Sequence, residues 1–345
     1  MSKGLDKFYT KEAAVRRLIG MLDLDDYHII VEPSAGDGAF VRQLKLLGCK
    51  VAALDIDPDH PNTEDIKKMD FFDFKIGTKD ESKKDSNILT IGNPPFGKNS
   101  SLAIKFFNYA ATFSSCIAFV VPRTFRKSSV QNKLDLNFHL QEECVLPRDS
   151  FYLPTGEDYE VPTVAQVWVK KDIKRNKVKL LTKHKDFDFL GSSDFSSDNI
   201  NLKFSSPSYY GDDTTDSYEM TKKEYEAIQS LRKKFPKLFS CHRVITAKKD
   251  LEWNNPPDFA FRRAGSRAGE IFEDYSKCPT QGFDFIKAKD DKVVSVFREM
   301  WKTKWSPDNE DRDAEKWDTA GQPSISKHEL ITFYNETKTK MENDK

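Results

Sequence analysis

Between residues 29 and 122 the chain sets four short apolar runs in succession: "HIIVE", "KVAALDID", "NILTIG" and "CIAFVVP". Two helical stretches, "AFVRQLKLLG" and "SLAIKFFNYAATF", and the polar loop "GTKDESKKDS" divide them. Apolar residues at helical spacing (Ala14, Leu18, Met21, Leu22) mark another helix ahead of them. Strands alternating with helices predict a mainly parallel sheet covered by helices on both faces, an α/β fold. "QEECVLP" and "PTVAQVWVKK" supply two more strands, and the pattern stops near residue 172. The remainder is polar and turn-rich. Helices are expected there in "KKEYEAIQSLRKKF" and "DKVVSVFREMWKTKW", with a loop over 305–323 and a capped last helix in "PSISKHELITFYNETK". The 345 residues therefore read as two domains, 1–172 and 173–345.

Lys+Arg and Asp+Glu both total 55, so the formal net charge is zero and any nucleic-acid footprint must be local. The five cysteines are scattered, with no C-x-x-C, which argues against a disulfide framework or a metal site. The first residues lack the apolar core of a signal peptide, and no apolar run is long enough to cross a membrane. A soluble intracellular protein, cytoplasmic or nuclear, without metal, is expected.

The first run ends in "EPSAGDG", Glu32 to Gly38. A strand, a Gly-x-Gly turn at Gly36 and Gly38 and then a helix bring backbone close to a ligand; a plain tight turn is the alternative. Glu32 and Asp37 near a helix N-terminus suit a cationic ligand better than a pyrophosphate. S-adenosylmethionine, with its sulfonium and ammonium, is such a ligand. Asp55, closing "VAALD", is placed to bind ribose hydroxyls, in preference to Asp57. Asp70 in "KKMDFFDF" can accept from an adenine amino group while Phe71 packs on its ring. A strand-end Asp beside a core Phe is the alternative there.

The third run ends in "GNPPFG", residues 92–97. Two prolines stiffen this bend and push the residue before each towards extended geometry. An exocyclic amine on a base is a poor nucleophile, because its lone pair is delocalised into the ring. Two fixed acceptors, the Asn93 side-chain oxygen and the Pro94 carbonyl, can bind the amine hydrogens and aim that lone pair. Pro95 keeps the acceptors rigid, and Phe96 offers a flat face to the base. The base would be extruded into such a pocket. A second "NNPP", at 254–257, is followed by Asp258 and reads as a loop.

Taken in order, "FYT" (8–10), "EPSAGDGAF", "ALDIDP", "MDFFDF" and "GNPPFG" resemble the SAM-dependent amino-methyltransferases. The order is similar to that of gamma-class N6-adenine DNA methyltransferases, and the "NPPFG" spelling also resembles RNA adenine-N6 methyltransferases. The resemblance covers about residues 1–172. It implies a Rossmann-like class I methyltransferase sheet, followed by a C-terminal α+β domain that recognises nucleic acid. It implies that Phe8, Tyr9 and Thr10 line the methionine end of SAM with Glu32 and Gly36. Asp55 would then hold the ribose, Asp70 and Phe71 the adenine, and Asn93, Pro94 and Phe96 the target base. Phe151 would stack on that base, although a packed loop aromatic fits it equally, and Tyr152 lies close behind. The implied reaction is N6-adenine methylation of nucleic acid, DNA slightly before RNA, giving S-adenosylhomocysteine. Guanine N2, cytosine N4, a glutamine amide and an inactive nucleic-acid-binding subunit are the alternatives.

Between Asp85 and Asp135 there is no acidic residue, whereas Lys98, Lys105, Arg123, Arg126, Lys127 and Lys133 fall there. Lys98 and the Arg123–Lys127 loop, Arg126 included, are the expected phosphate contacts. The basic stretch 170–185 is either a charged linker or a strand-tracking segment. In 253–272, Arg262, Arg263 and Arg267 stand among Trp253, Phe259 and Phe261, a mixture suited to phosphate contact and base stacking.

Overall fold

The computed structural model describes residues 7–58, 64–76, 87–191, 199–205, 215–221, 227, 230–231, 233–234, 243–246, 253–265, 267–278, 282–305 and 324–344. The chain divides into two compact units that part between Leu180 and Leu181.

The first unit contains β1 (Tyr9–Thr10), α1 (Glu12–Ile19), β2 (Ile29–Glu32), α2 (Ala39–Leu46), β3 (Val51–Asp55), β4 (Ile66–Lys68) and β5 (Ile88–Gly92). It continues with α3 (Ser101–Ala110), β6 (Cys116–Pro122), α4 (Ser128–Gln131), β7 (Phe138–Val145), β8 (Phe151–Tyr152), β9 (Asp158–Tyr159) and β10 (Thr163–Lys170). Seven strands form one sheet in the order β4-β3-β2-β5-β6-β10-β7. The pairs from β4 to β6 are parallel, and β10 runs antiparallel to both β6 and β7. This is a Rossmann-like sheet, with the strand order reversing between β2 and β5.

Every residue of β5 and β6 is buried, as expected of central parallel strands covered on both faces. On one face α1 and α2 contribute Val15, Leu18, Phe40 and Leu44 to the core. On the other, Phe106 and Phe107 of α3 pack with Phe119, Phe138 and Trp168. Burying each such ring contributes about 2–3 kcal/mol. A small second sheet, β1-β8-β9, brings the segment before α1 against the loop after β7. Its strands are two residues long, too short to leave any periodicity in the sequence.

The bend after β5 needs glycine at its end. Gly97 has φ +66°, and a Cβ there would lie 2.8 Å from Leu102 Cβ and 3.1 Å from the Leu102 amide nitrogen. Gly97→Ala should cost about 2 kcal/mol, from left-handed strain and the clash together. Calorimetry should record a fall in Tm of about 6 °C, and an unchanged melt would contradict this.

The second unit contains β11 (Phe187–Leu190), β12 (Asn199–Ser205), β13 (Thr215–Thr221), β14 (Arg243–Thr246), β15 (Phe259–Arg262), β16 (Ile271–Phe272) and β17 (Phe283–Ala288). Two helices follow, α5 (Lys292–Met300) and α6 (Lys327–Asn343). An antiparallel sheet, β11-β17-β15-β16, packs Phe187, Phe259, Phe261 and Ile286 against Phe297 of α5 and Leu330 and Tyr334 of α6. Three further strands form the sheet β13-β12-β14. The expected cap of the last helix is present. The Ser326 hydroxyl accepts from the Glu329 amide at 3.3 Å, and the Glu329 carboxylate from the Ser326 amide at 2.6 Å. The loop 77–86, most of the helix expected over 222–235 and nearly all of the loop expected over 305–323 lie outside the described residues. No described helix is long and apolar enough to cross a membrane.

Candidate active site

β3, β2 and β5 are parallel neighbours, so the residues that end them share one edge of the sheet: Asp55, Glu32 and Gly92. In parallel α/β sheets ligands bind outside that edge, at the reversal of strand order. The turn after β2 is tied to both neighbours. The Gly36 amide donates to Asp55 Oδ2 at 2.8 Å, and the Asp57 amide to Oδ1 of the same carboxylate at 2.8 Å. The Ser34 hydroxyl donates to the Asn93 carbonyl at 3.0 Å. Gly36 has φ +53°, and a Cβ there would lie 3.1 Å from the Tyr9 ring. Glycine is thus required by both backbone and packing. Gly38, at φ +83°, opens α2.

Asn93 follows directly. Its Nδ2 donates to the Thr10 hydroxyl at 3.0 Å. Its Oδ1 is buried and has no hydrogen-bond partner among the described residues. Such an orphaned acceptor costs about 1–3 kcal/mol, so the site carries a standing affinity for an N–H donor. Beside it lies an aromatic cluster. The Phe8 ring is 5.1 Å from Phe96, 5.3 Å from Phe151 and 5.3 Å from Tyr159, on which it stacks. Phe96 is 9% exposed and Phe151 fully buried, whereas Tyr159 is exposed. Phe151 is therefore a supporting core ring, and the accessible aromatic of the cluster is Tyr159. No periodicity marks Tyr159; it is a lone aromatic in the polar stretch "GEDYE".

Glu32 is 1% exposed, and its Oε2 lacks a hydrogen-bond partner among the described residues. Burial, then the charges of Asp37 and Asp55, hold its carboxyl well above the usual carboxylate range, although the Val41 amide and Arg42 pull the other way. Above the ordinary Glu pKa the unfolded chain gives up this proton and the folded chain keeps it. The site's contribution is therefore most favourable at low pH and is lost as pH rises towards the folded value. Glu32→Gln removes the ionisation. At pH 8 its Tm should exceed that of the unsubstituted protein by about 3 °C, the effect of roughly 1 kcal/mol in a domain of this size. Calorimetry should find the gap closing near pH 4, at about the ordinary Glu value. A gap independent of pH would refute this.

Asp37, expected to face a cationic ligand, is committed within the protein. Its carboxylate pairs with Arg42 at 2.9 Å and accepts from the Tyr152 hydroxyl at 2.7 Å. Burial and that bond push the Tyr152 phenol up to about 12. Arg42 lies in α2 five positions on from Asp37, which precedes the helix, so no i,i+4 spacing announces the pair. Asp70 caps the 3-10 turn Phe71–Asp73, accepting from the Phe72 amide at 3.0 Å. Phe71 is 2% exposed and packs between Phe106 and Tyr109, which is the core alternative raised above. Lys7 pairs with Asp57, the acid passed over in favour of Asp55.

The expected phosphate contacts are redistributed. Lys98 is exposed and Lys127 half-buried, but Arg123 is 3% exposed and Arg126 pairs with Glu143 at 2.7 Å. Glu143 stands on β7, outside the acid-free interval, so a charge asymmetry along the sequence is partly cancelled in space. In the second unit Phe259 and Phe261 are core residues rather than stacking surfaces. Arg267 pairs with Glu270 at 2.6 Å, and Arg262 Nε donates to the Ala264 carbonyl at 3.2 Å, while Arg263 is exposed. Arg262 and Arg267 line a cavity of about 890 Å³ with Arg298, Phe272, Phe283 and Trp301. The second "NNPP" is a loop leading into β15, with Asp258 accepting from Lys287 at 3.0 Å.

No protein-family model matches the chain. It is similar to Protein ENHANCED DOWNY MILDEW 2 of Arabidopsis thaliana, 31% identical over 123 residues, 32% of this chain and 9% of that protein. The chain thus spans about a tenth of the length of this curated relative. Among solved structures it is similar to a candidate RNA methyltransferase of Pyrococcus horikoshii, 18% identical over 48% of this chain and 89% of that one, with a TM-score of 0.37. It is similar also to a modification subunit of a candidate type I restriction enzyme of Vibrio vulnificus, 17% identical over 49% of this chain and 46% of that one, with a TM-score of 0.33. A methyltransferase of Pyrococcus furiosus aligns at 12% identity over 49% of this chain and 88% of that one, with a TM-score of 0.29. At these scores the reading of the fold rests on the strand order, not on the likeness.

Proposed function

We propose that this chain is a SAM-dependent methyltransferase acting on the N6 amine of adenine in nucleic acid, with DNA favoured over RNA. The observation that carries the reading is the side chain of Asn93. Its amide nitrogen is spent on Thr10, and its buried oxygen is left to accept at the reversal of the sheet. An exocyclic amine is the group such an oxygen suits. By accepting one N–H, Asn93 draws the nitrogen towards tetrahedral geometry and turns its lone pair away from the ring. Pro94 and Pro95 hold the bend without reorganisation, so little is lost to reordering as the reaction begins. The amine gives up its proton to solvent after transfer, and no general base is required.

The residues present fit the cofactor. Glu32 Oε2 is a second orphaned acceptor, suited to an ammonium, and Asp55 fixes the glycine turn beside it. S-adenosylmethionine, when bound, supplies an electrophilic methyl group on a sulfonium. Lys98, exposed just after the bend, is a cation suited to meet phosphate in the first unit. The test is incubation with methyl-labelled SAM and separate DNA and RNA pools, followed by nucleoside mass spectrometry. Labelled N6-methyladenine in the DNA pool, absent with Asn93→Ala, is expected. Label on another base, or equal label with Asn93→Ala, overturns the reading.

A further inference from the structure

Thr10 was expected to line the cofactor, but its hydroxyl meets the nitrogen of Asn93 instead. Resting on the methyltransferase reading above, we propose that Thr10 is a positioning residue, whose hydroxyl bonds the Asn93 amide and holds it in place against the target amine. The last side-chain torsion of Asn is broad and roughly two-fold, so the oxygen and the NH2 exchange places at little intrinsic cost. Only the oxygen can accept from an amine; an NH2 turned the same way would repel it. Something must therefore hold the amide in place. Thr10 does so by accepting from Nδ2, which leaves Oδ1 as the end without a partner among the described residues.

The hydroxyl is itself held firmly. Thr10 is 5% exposed and pairs with Phe151 in the β1–β8 ladder. The next amide, Lys11, donates to the Ser150 carbonyl at 2.9 Å, and the Lys11 side chain reaches Asp158 at 2.7 Å. On the other side Lys7 pairs with Asp57, beyond the end of β3. The segment is thus pinned at both ends across the edge of the sheet, and Thr10 lies between the pins. A strap fixed so closely can orient a side chain 83 positions away in sequence.

The test compares Thr10→Val, which keeps the shape and loses the hydroxyl, with Thr10→Ser, which keeps the hydroxyl. With labelled SAM and adenine-containing DNA, Thr10→Val should lower kcat by about tenfold or more, one net hydrogen bond's worth. The KM for SAM and its calorimetric Kd should stay within about twofold, and Thr10→Ser should restore kcat to within about threefold. Unchanged kcat in Thr10→Val overturns the proposal. So does an equal loss in both variants, which would assign the effect to packing of the methyl group. A rise in the SAM Kd that matches the loss of turnover would make Thr10 a cofactor contact and also overturn it. A second readout needs no turnover: in protein labelled with 15N-asparagine, the Asn93 side-chain NH2 signal should shift in Thr10→Val and return in Thr10→Ser. If the unsubstituted protein transfers no methyl group, the enzymatic reading fails by itself. The NH2 signal still decides whether Thr10 fixes the amide, and an unshifted signal rejects it.

Discussion

Asn93→Ala is expected to lower methyl transfer by at least about 100-fold, the usual loss when one preorganised hydrogen-bonding group is removed from a reacting centre. The affinity for SAM should stay near that of the unsubstituted protein. The two effects separate because of where the bonds go. The side chain of Asn93 binds Thr10 and otherwise keeps a buried oxygen unspent, while the glycine turn is secured by Asp55 and Ser34. Removing the amide deletes the acceptor and leaves the turn intact, since Ser34 bonds the Asn93 backbone, which alanine retains. The substitution also relieves a buried unsatisfied oxygen, so the variant should fold as well as its parent or slightly better. Single-turnover kinetics with SAM titrations would check both halves. A variant that loses SAM binding in step with turnover would show that Asn93 shapes the cofactor site instead.

Asp55→Ala should give the converse pattern. Asp55 accepts from two backbone amides, Gly36 and Asp57, each at 2.8 Å. Hydrogen bonds to an ionised carboxylate contribute about 1.5–3 kcal/mol each. Without them the glycine turn is freed from β3, and a ligand must reorder it. The Kd for SAM should rise roughly 10- to 100-fold, while kcat at saturating SAM falls only a few-fold. Asp55→Asn, with one oxygen left to accept, should lie between. Calorimetric titration with SAM decides the matter; an unchanged Kd in the alanine variant would remove Asp55 from the cofactor site.

What the sequence made readable follows from the reach of its signals. The central sheet was legible because β5 and β6 are buried on both faces and so spell continuous apolar runs closed by Gly or Pro. The bend at Asn93 was legible because prolines and glycine write their geometry into the chain. The β1-β8-β9 sheet was not, because strands of two residues carry no period and their partners are fixed only by tertiary pairing. The same limit explains the charges. Arg126 stands in an acid-free interval but meets Glu143 from another strand, and Asp37 finds Tyr152 from 115 positions away. Phe71 had two readings in sequence, and its contacts with the rings of Phe106 and Tyr109 come from elements that no local pattern links to it.

The small sheet also bears on the order of events during folding. The parallel strands and the NPPF bend are complete by Pro122, yet the Thr10 that Asn93 bonds lies in β1, whose partner β8 ends at Tyr152. Closing that loop, with ends more than a hundred residues apart, carries an entropy cost that local helices do not. A nascent chain halted before residue 151 would hold the glycine turn and the NPPF bend, yet would lack the strand that pairs with β1. Competence is thus acquired last, after the scaffold that displays it, and refolding monitored by turnover should lag refolding monitored by helix content.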